Sequence, residues 1–234
     1  MYSDAFCKVY NEFGWNHYPE AFGEQLLVWL RRHHPQAGTS LDLACGTGIL
    51  CEILRDHGFE ASGMDFSEGM IEIARARRSD IHYEVADMIT YCPERRFDLV
   101  TCTGDALNHI AELEDVEKIF RNVHTYLSPG GYFIFDLLNR REISTEEPFE
   151  MDYSDTVKAQ IQMLQPEYGR VNLQIRVFEN GVLQFEEVIR ERVHEPADIC
   201  GLLRKCGFEV VKCADQLLED APYHGTTWFI IAKK

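Results

Sequence analysis

From residue 39 to residue 138 the chain runs on two hydrophobic rhythms. Apolar runs of strand length lie at 39–44, 59–64, 81–85, 97–102 and 132–138. Between several of them apolar residues recur every three to four positions. Helices are predicted over 49–57, closed by Gly58, and over 67–77, capped by Ser67. A third covers 112–127, with Leu113, Val116, Ile119, Phe120 and Val123 on one face. Pro129-Gly130-Gly131 reads as a turn. Strands alternating with helices imply a mostly parallel sheet covered on both faces.

Beyond residue 140 the rhythm changes to period two. Val171, Leu173, Ile175 and Val177 alternate with Asn172, Gln174 and Arg176. Asn180-Gly181 is a hairpin signal, and 183–193 is the return strand. Residues 157–164 would pair through a turn at 166–169. The pattern predicts an antiparallel meander over 145–194, inserted into the α/β domain. The domain division is therefore 1–140 with 195–234, and 141–194 as the insertion. A helix at 196–206, ended by Gly207, and strands at 208–214 and 226–232 complete the main domain. At the N-terminus Val9, Tyr10 and Phe13 mark a first helical piece. A second helix follows Pro19, with Phe22, Leu26, Leu27 and Leu30 at helical spacing, and ends at His33-His34-Pro35. Adjacent histidines point apart on a helix, so this pair reads as a helix end and not a metal site.

Charge narrows the function. The net charge is −16, from 23 basic and 39 acidic residues, which disfavours a nucleic-acid partner. The densest basic patch, Arg75, Arg77 and Arg78, reads as a solvated helix end beside a negative dipole. The eight cysteines are spread along the chain without a Cys-x-x-Cys pair. Reduced thiols are expected, with Cys102, Cys206 and Cys213 as small core residues, and no metal is expected. No apolar run is long enough to span a bilayer. Met1-Tyr2-Ser3-Asp4 lacks a basic region followed by an apolar one, so a cytoplasmic protein is the expectation.

The chemistry starts where the first strand runs into Asp42-Leu43-Ala44-Cys45-Gly46-Thr47-Gly48 and then into a helix. Gly46 and Gly48 allow a ligand close to the backbone, and the helix start offers free N–H groups. A dinucleotide site would want a third glycine, where Ile49 and Leu50 stand. The second strand ends at Gly63-Met64-Asp65, where a carboxylate can accept both hydroxyls of a ribose. The third ends at Ala86-Asp87-Met88, an acid and an apolar residue suited to the edge and face of an adenine. Asp87 alone would read as a turn cap. Three such elements at three successive strand ends point to a nucleoside ligand at the C-terminal edge of the sheet.

At this point the sequence resembles the class I methyltransferases dependent on S-adenosylmethionine (SAM). The resemblance rests on Leu41 through Gly48, Gly63-Met64-Asp65-Phe66-Ser67, Ala86-Asp87-Met88, Phe97-Asp98-Leu99-Val100 and Leu127-Ser128-Pro129-Gly130-Gly131. Ala44 departs from it, since the family often has glycine there. The resemblance implies a Rossmann-like α/β fold with a seven-stranded, mostly parallel sheet and the antiparallel insertion. It implies SAM as methyl donor and S-adenosylhomocysteine (SAH) as product. Carried over by position, Ala44, Cys45, Gly46 and Gly48 would lie under the methionine part. Asp65 would hold the ribose, Phe66 and Met70 would flank the adenine, and Asp87 with Met88 would hold its edge. Thr103 and Gly104, after strand four, would face the sulfonium. N-terminal aromatic residues close over SAM in the family, which makes Tyr10, Trp15 and Tyr18 lid candidates. Gly104-Asp105-Ala106-Leu107-Asn108 and the meander are similar to bacterial small-molecule methyltransferases, including amino-sugar N-methyltransferases.

The implied reaction is an in-line methyl transfer to a small-molecule nitrogen or oxygen. Asp105 and His109 are the catalytic candidates; Asp105 could instead orient a cationic acceptor. His17 and His224 are weaker ones. The six acids of residues 142–157 suit a cationic substrate or a solvated surface. A protein or RNA methyltransferase and a non-catalytic SAM- or nucleotide-binding module are the alternatives. An exposed edge of the meander leaves a homodimer open.

Overall fold

The structure is a computed structural model that describes residues 2–138, 148–167, 169–218 and 227–234. Its main sheet contains β1 (Thr39–Leu43), β2 (Glu60–Asp65), β3 (His82–Val85), β4 (Phe97–Cys102), β5 (Leu127–Leu138), β10 (Glu209–Ala214) and β11 (Thr227–Lys233). The strand order is β10-β11-β5-β4-β1-β2-β3. The five strands from β5 to β3 pair in parallel, and β11 runs antiparallel to both β5 and β10. Sequence order reverses between β1, flanked by β2, and β4. That switch point leaves a crevice at the C-terminal strand ends.

Strand alternation splits the core into two layers. Phe133, Phe135 and Leu137 of β5 face helices α5 (Leu113–Tyr126) and α6 (Pro196–Lys205), which contribute Val116, Ile119, Phe120, Val123, Ile199 and Leu203. Tyr132 and Ile134 face the other way. There α2 (His17–His33), α3 (Ile49–Asp56) and α4 (Glu68–Arg77) bring Phe22, Leu26, Leu30, Leu50, Leu54 and Ile71. Each fully buried large side chain is worth roughly 1.5–3 kcal/mol before entropy is subtracted. Helix α4 starts as expected, with the Met70 amide donating to Ser67 Oγ. At its end Arg77 pairs with Glu52 and Arg78 with Asp56 and Asp80. The basic patch is thus neutralised by surface acids.

The second sheet is antiparallel: β6 (Phe149–Asp152), β7 (Val157–Glu167), β8 (Arg170–Glu179) and β9 (Val182–Arg192), in that order. Asn180 (φ 50°) and Gly181 (φ 77°) form the β8–β9 turn, where both central residues need positive φ. Its apolar face, with Ala159, Ile161, Ile175, Val177 and Ile189, is covered by the N-terminal segment through Phe6 and Phe13. That segment begins with α1 (Asp4–Val9). Asn108 joins the two sheets. Its amide donates to the Arg192 carbonyl at 2.7 Å, and its oxygen accepts from the Leu138 amide at 2.9 Å.

Two expectations need correction, and one strand was not anticipated. Pro129–Gly131 is not a separate turn: β5 already starts at Leu127, and Gly130 and Gly131 pair with Lys234. Strand β6 was not singled out in the sequence: Phe149 and Met151 alternate with Glu150 and Asp152, but four residues are too short a run to stand out. Cys213, near the end of the edge strand β10, is exposed; Cys102 and Cys206 are buried as expected. All eight thiols are free. The boundary expected near residue 140, much of the acidic run, and His224 lie outside the described residues. No described helix is long and apolar enough to cross a membrane.

Candidate active site

The turn after β1 is built on left-handed backbone: Ala44 (φ 54°), Gly46 (φ 53°) and Gly48 (φ 83°). Ala44 carries that conformation at a cost of about 1 kcal/mol. The glycines serve different ends. A Cβ on Gly48 would meet the Tyr83 hydroxyl at 2.5 Å, and one on Gly63 would meet Cys45 Sγ at 2.7 Å. These two let α3 and β2 pack tightly. A Cβ on Gly46 would meet nothing within 4 Å, because that side opens into a cavity.

One cavity, of about 300 Å³, runs along the ends of β2 and β3. Asp65, Phe66, Ala86, Asp87, Met88 and Ile89 line it. Asp65 Oδ2 accepts from the Gly46 amide at 2.9 Å and Oδ1 from the Ser67 amide at 2.8 Å. Burial raises its pKa, and the amides of Ser67, Gly46 and Phe66 hold it back. Asp87 Oδ1 accepts from the Ile89 amide at 2.9 Å, so one oxygen does cap a turn. Phe66 lies beside the cavity with 53% of its surface exposed. Met70 does not join this group: it is fully buried under α4 and lines neither cavity.

A second cavity, of about 230 Å³, continues toward β5 and the antiparallel sheet. Tyr18, Ala44, Cys45, Gly46, Thr103, Gly104 and Asp105 line it, together with Asp42. Tyr2, Tyr10, Ala44, Gly46, Thr103 and Gly104 border both cavities. Tyr10 and Trp15 stack 5.7 Å apart as part of the roof. Thr47 Oγ1, donating to Asn11 Oδ1 at 2.8 Å, ties the roof to the glycine turn. His17 starts α2 and lines neither cavity.

Two acids in this cavity escaped the sequence reading. Asp136 interrupts the apolar run of β5. Its carboxylate accepts from the amides of Gly104 (3.0 Å) and Asp105 (2.7 Å) and from the Tyr18 hydroxyl. Gly104 (φ 73°) and Asp105 (φ 51°) are both left-handed, so their N–H groups converge on that carboxylate. Glu191 sits on β9 at an inward register position, two residues from Ile189, and is 8% exposed. An acid in phase with the apolar residues of a strand was the available signal in both cases.

Glu191 joins Asp105 and His109, whose ligand atoms lie within 4.8 Å of one another. Burial, reinforced by Glu191, pushes the Asp105 carboxyl well above the ordinary range, and burial also raises Glu191. His109 keeps an exposed edge but is pushed down to about 4 by desolvation, with the Tyr2 ring 5.9 Å from its own. No lysine or arginine among the described residues lines either cavity.

Comparison with known proteins gives a consistent answer. The YqeM protein of Bacillus subtilis (strain 168) is 26% identical over 95% of this chain and 92% of its own length. A dTDP-3-amino-3,6-dideoxy-alpha-D-glucopyranose N,N-dimethyltransferase of Streptomyces fradiae is 32% identical over 47% of this chain, which spans 44% of that relative. The crystal structure of an S-adenosylmethionine-dependent methyltransferase from Clostridium acetobutylicum ATCC 824 superposes with a TM-score of 0.81. It has 25% identity and covers 92% of this chain and 91% of that one. A family model described as a methyltransferase domain matches residues 15–213, and the chain belongs to that methyltransferase family.

Proposed function

We propose that the protein binds SAM across the two cavities and transfers its methyl group to a small-molecule acceptor. One observation carries this reading. Two cavities meet over the open side of Gly46, and Asp65, held by two amides, stands at the nucleoside end. In this reading Asp65 accepts from the ribose hydroxyls. Phe66 and Met88 flank the adenine, and the Asp87 oxygen not used by Ile89 accepts from its amino group. Ala44, Cys45 and Gly46 lie under the methionine part, and Thr103 and Gly104 border the reacting centre. Gly48 acts through packing.

When bound, SAM supplies a methyl group on a cationic sulfur. The chain's contribution is alignment and exclusion of water beneath Tyr10, Trp15 and Tyr18. Asp105 faces the acceptor side, and His109, within 4.8 Å of it, borders the nucleoside-side cavity where the two meet. The Streptomyces fradiae relative acts, by name, on an amino sugar, which supports a small acceptor here. The described lining of both cavities, without lysine or arginine, disfavours a nucleic acid. The antiparallel sheet is the substrate-side unit of this arrangement.

Calorimetric titration with SAM, SAH and NAD tests the reading. SAM and SAH should bind with Kd below about 100 μM and NAD should not. Asp65→Ala should weaken SAM at least tenfold. Absence of SAM binding at about 1 mM would sink it.

A further inference from the structure

The acceptor cavity is short of positive charge. Asp42, Asp105, Asp136 and Glu191 all line it, and none of its described lining residues is a lysine or arginine. Two of these acids are provided for. Thr101 Oγ1 donates to Asp42 at 2.6 Å, and Asp136 holds three donors. Asp105 and Glu191 differ: neither carboxylate takes part in a hydrogen bond or ion pair with another described residue. Glu191 is more than nine-tenths buried, and its carboxylate faces the cavity. Two carboxylates whose oxygens lie within 4.8 Å of each other in a largely buried cavity repel, so the arrangement favours a cation or a proton between the pair.

The surrounding rings add an independent indication. Tyr2, Tyr10 and Trp15 line the same cavity, and Tyr10 and Trp15 stack above it. Faces of tyrosine and tryptophan next to carboxylates suit an ammonium group, which donates hydrogen bonds to the carboxylates on one side and meets the ring quadrupoles on the other. A hydroxyl acceptor brings no charge and would leave the pair dependent on a retained proton.

We propose that the methyl acceptor is an amine that enters as its ammonium ion and is held between Asp105 and Glu191 under the Tyr2, Tyr10 and Trp15 rings. This rests on the methyltransferase reading above and narrows its acceptor. The balance is simple. The ammonium R–NH3+ gives one proton to the Glu191 carboxylate and becomes R–NH2. The nitrogen lone pair then forms a bond to the methyl carbon as the carbon–sulfur bond breaks. That pair stays on sulfur, giving SAH and the methylated ammonium R–NH2–CH3+. A carboxyl whose pKa is raised by burial is a fitting proton acceptor. His109, pushed toward its neutral form, adds no competing charge.

The test uses the full chain loaded with SAH and two matched probe pairs, cyclohexylamine with cyclohexanol and benzylamine with benzyl alcohol. Calorimetry should show each amine binding at least tenfold more tightly than its alcohol. Glu191→Gln and Asp105→Asn should each remove that preference while SAH affinity stays within twofold; asparagine tolerates the left-handed backbone at 105. Equal binding of amine and alcohol overturns the proposal. So does an amine preference that survives both substitutions, or binding of neither probe to SAH-loaded protein. A preference abolished by EDTA and restored by Mg2+ also overturns it, assigning Asp105, His109 and Glu191 to a metal ion. Failure of SAH itself to bind is a separate outcome, which removes the underlying reading.

Discussion

The two cavities are made by different means. On the nucleoside side the backbone does most of the work: the left-handed turn after β1 aims the Gly46 amide at Asp65, which the Ser67 amide also holds. On the acceptor side isolated side chains meet from distant parts of the chain. Asp105 follows β4, Asp136 ends β5, Glu191 comes from β9, and the rings come from the N-terminal segment. A backbone site is specified by a short contiguous motif. A site of converging side chains depends on the whole tertiary structure, and it is also the side where specificity can change without disturbing the sheet.

The largest way to break this contrast is Asp136→Ala, because Asp136 supports both sides. The substitution strands the amides of Gly104 and Asp105 and the Tyr18 hydroxyl. At about 1–3 kcal/mol for each buried unsatisfied group, a loss of about 3 kcal/mol in stability is expected from urea unfolding. Methyl transfer should fall at least a hundredfold. Stability within 1 kcal/mol of wild type would remove Asp136 from its place in the account.

A pH series sharpens the electrostatic part. Burial pushes the Asp42 carboxyl up to about 7, opposed by the Thr101 donor. A raised folded-state pKa contributes stability that is present below the unfolded value and lost as pH rises through about 7. Unfolding in the absence of ligand should therefore show stability falling from pH 4 to pH 8, with Asp42 contributing on the order of 4 kcal/mol. Asp42→Asn keeps an acceptor for Thr101 and should flatten the slope. An unchanged slope would contradict the assignment.

Smaller substitutions separate the two sides. Ser67→Ala removes the α4 cap, and differential scanning calorimetry should register about 1 kcal/mol. SAM affinity should stay within twofold, since Ser67 holds Asp65 through its backbone amide, which alanine keeps. Ser3→Ala removes the 2.6 Å hydrogen bond to Glu187, which ties the N-terminal segment to β9. It should cost about 1 kcal/mol and raise the acceptor KM while leaving the SAM KM within twofold. A SAM-only effect of Ser3→Ala would erase the distinction between the sides.

How much of this was legible in the sequence follows the same division. The alternation from residue 39 to 138 fixes a covered parallel sheet, because burial on both faces leaves continuous apolar runs. Asp65 and Asp87 were readable because each ends a strand beside a recognisable turn. Asp105 and His109 were readable from their place after β4. Asp136 and Glu191 were not, since their meaning depends on where β5 and β9 end relative to β4. Met70 shows the opposite error. It falls at the right interval after Asp65, but helical phase turns it into the core. Cys213 lies in an apolar run, yet near the end of the edge strand β10 it stays exposed.

The account stands most directly on where the methyl donor sits, and a crystal structure of the full chain with SAH measures that. The expected result places the ribose hydroxyls on Asp65, the adenine between Phe66 and Met88 with its amino group toward Asp87, and the sulfur facing Asp105. An adenosine group bound away from Asp65, or a sulfur facing away from Asp105, would contradict it.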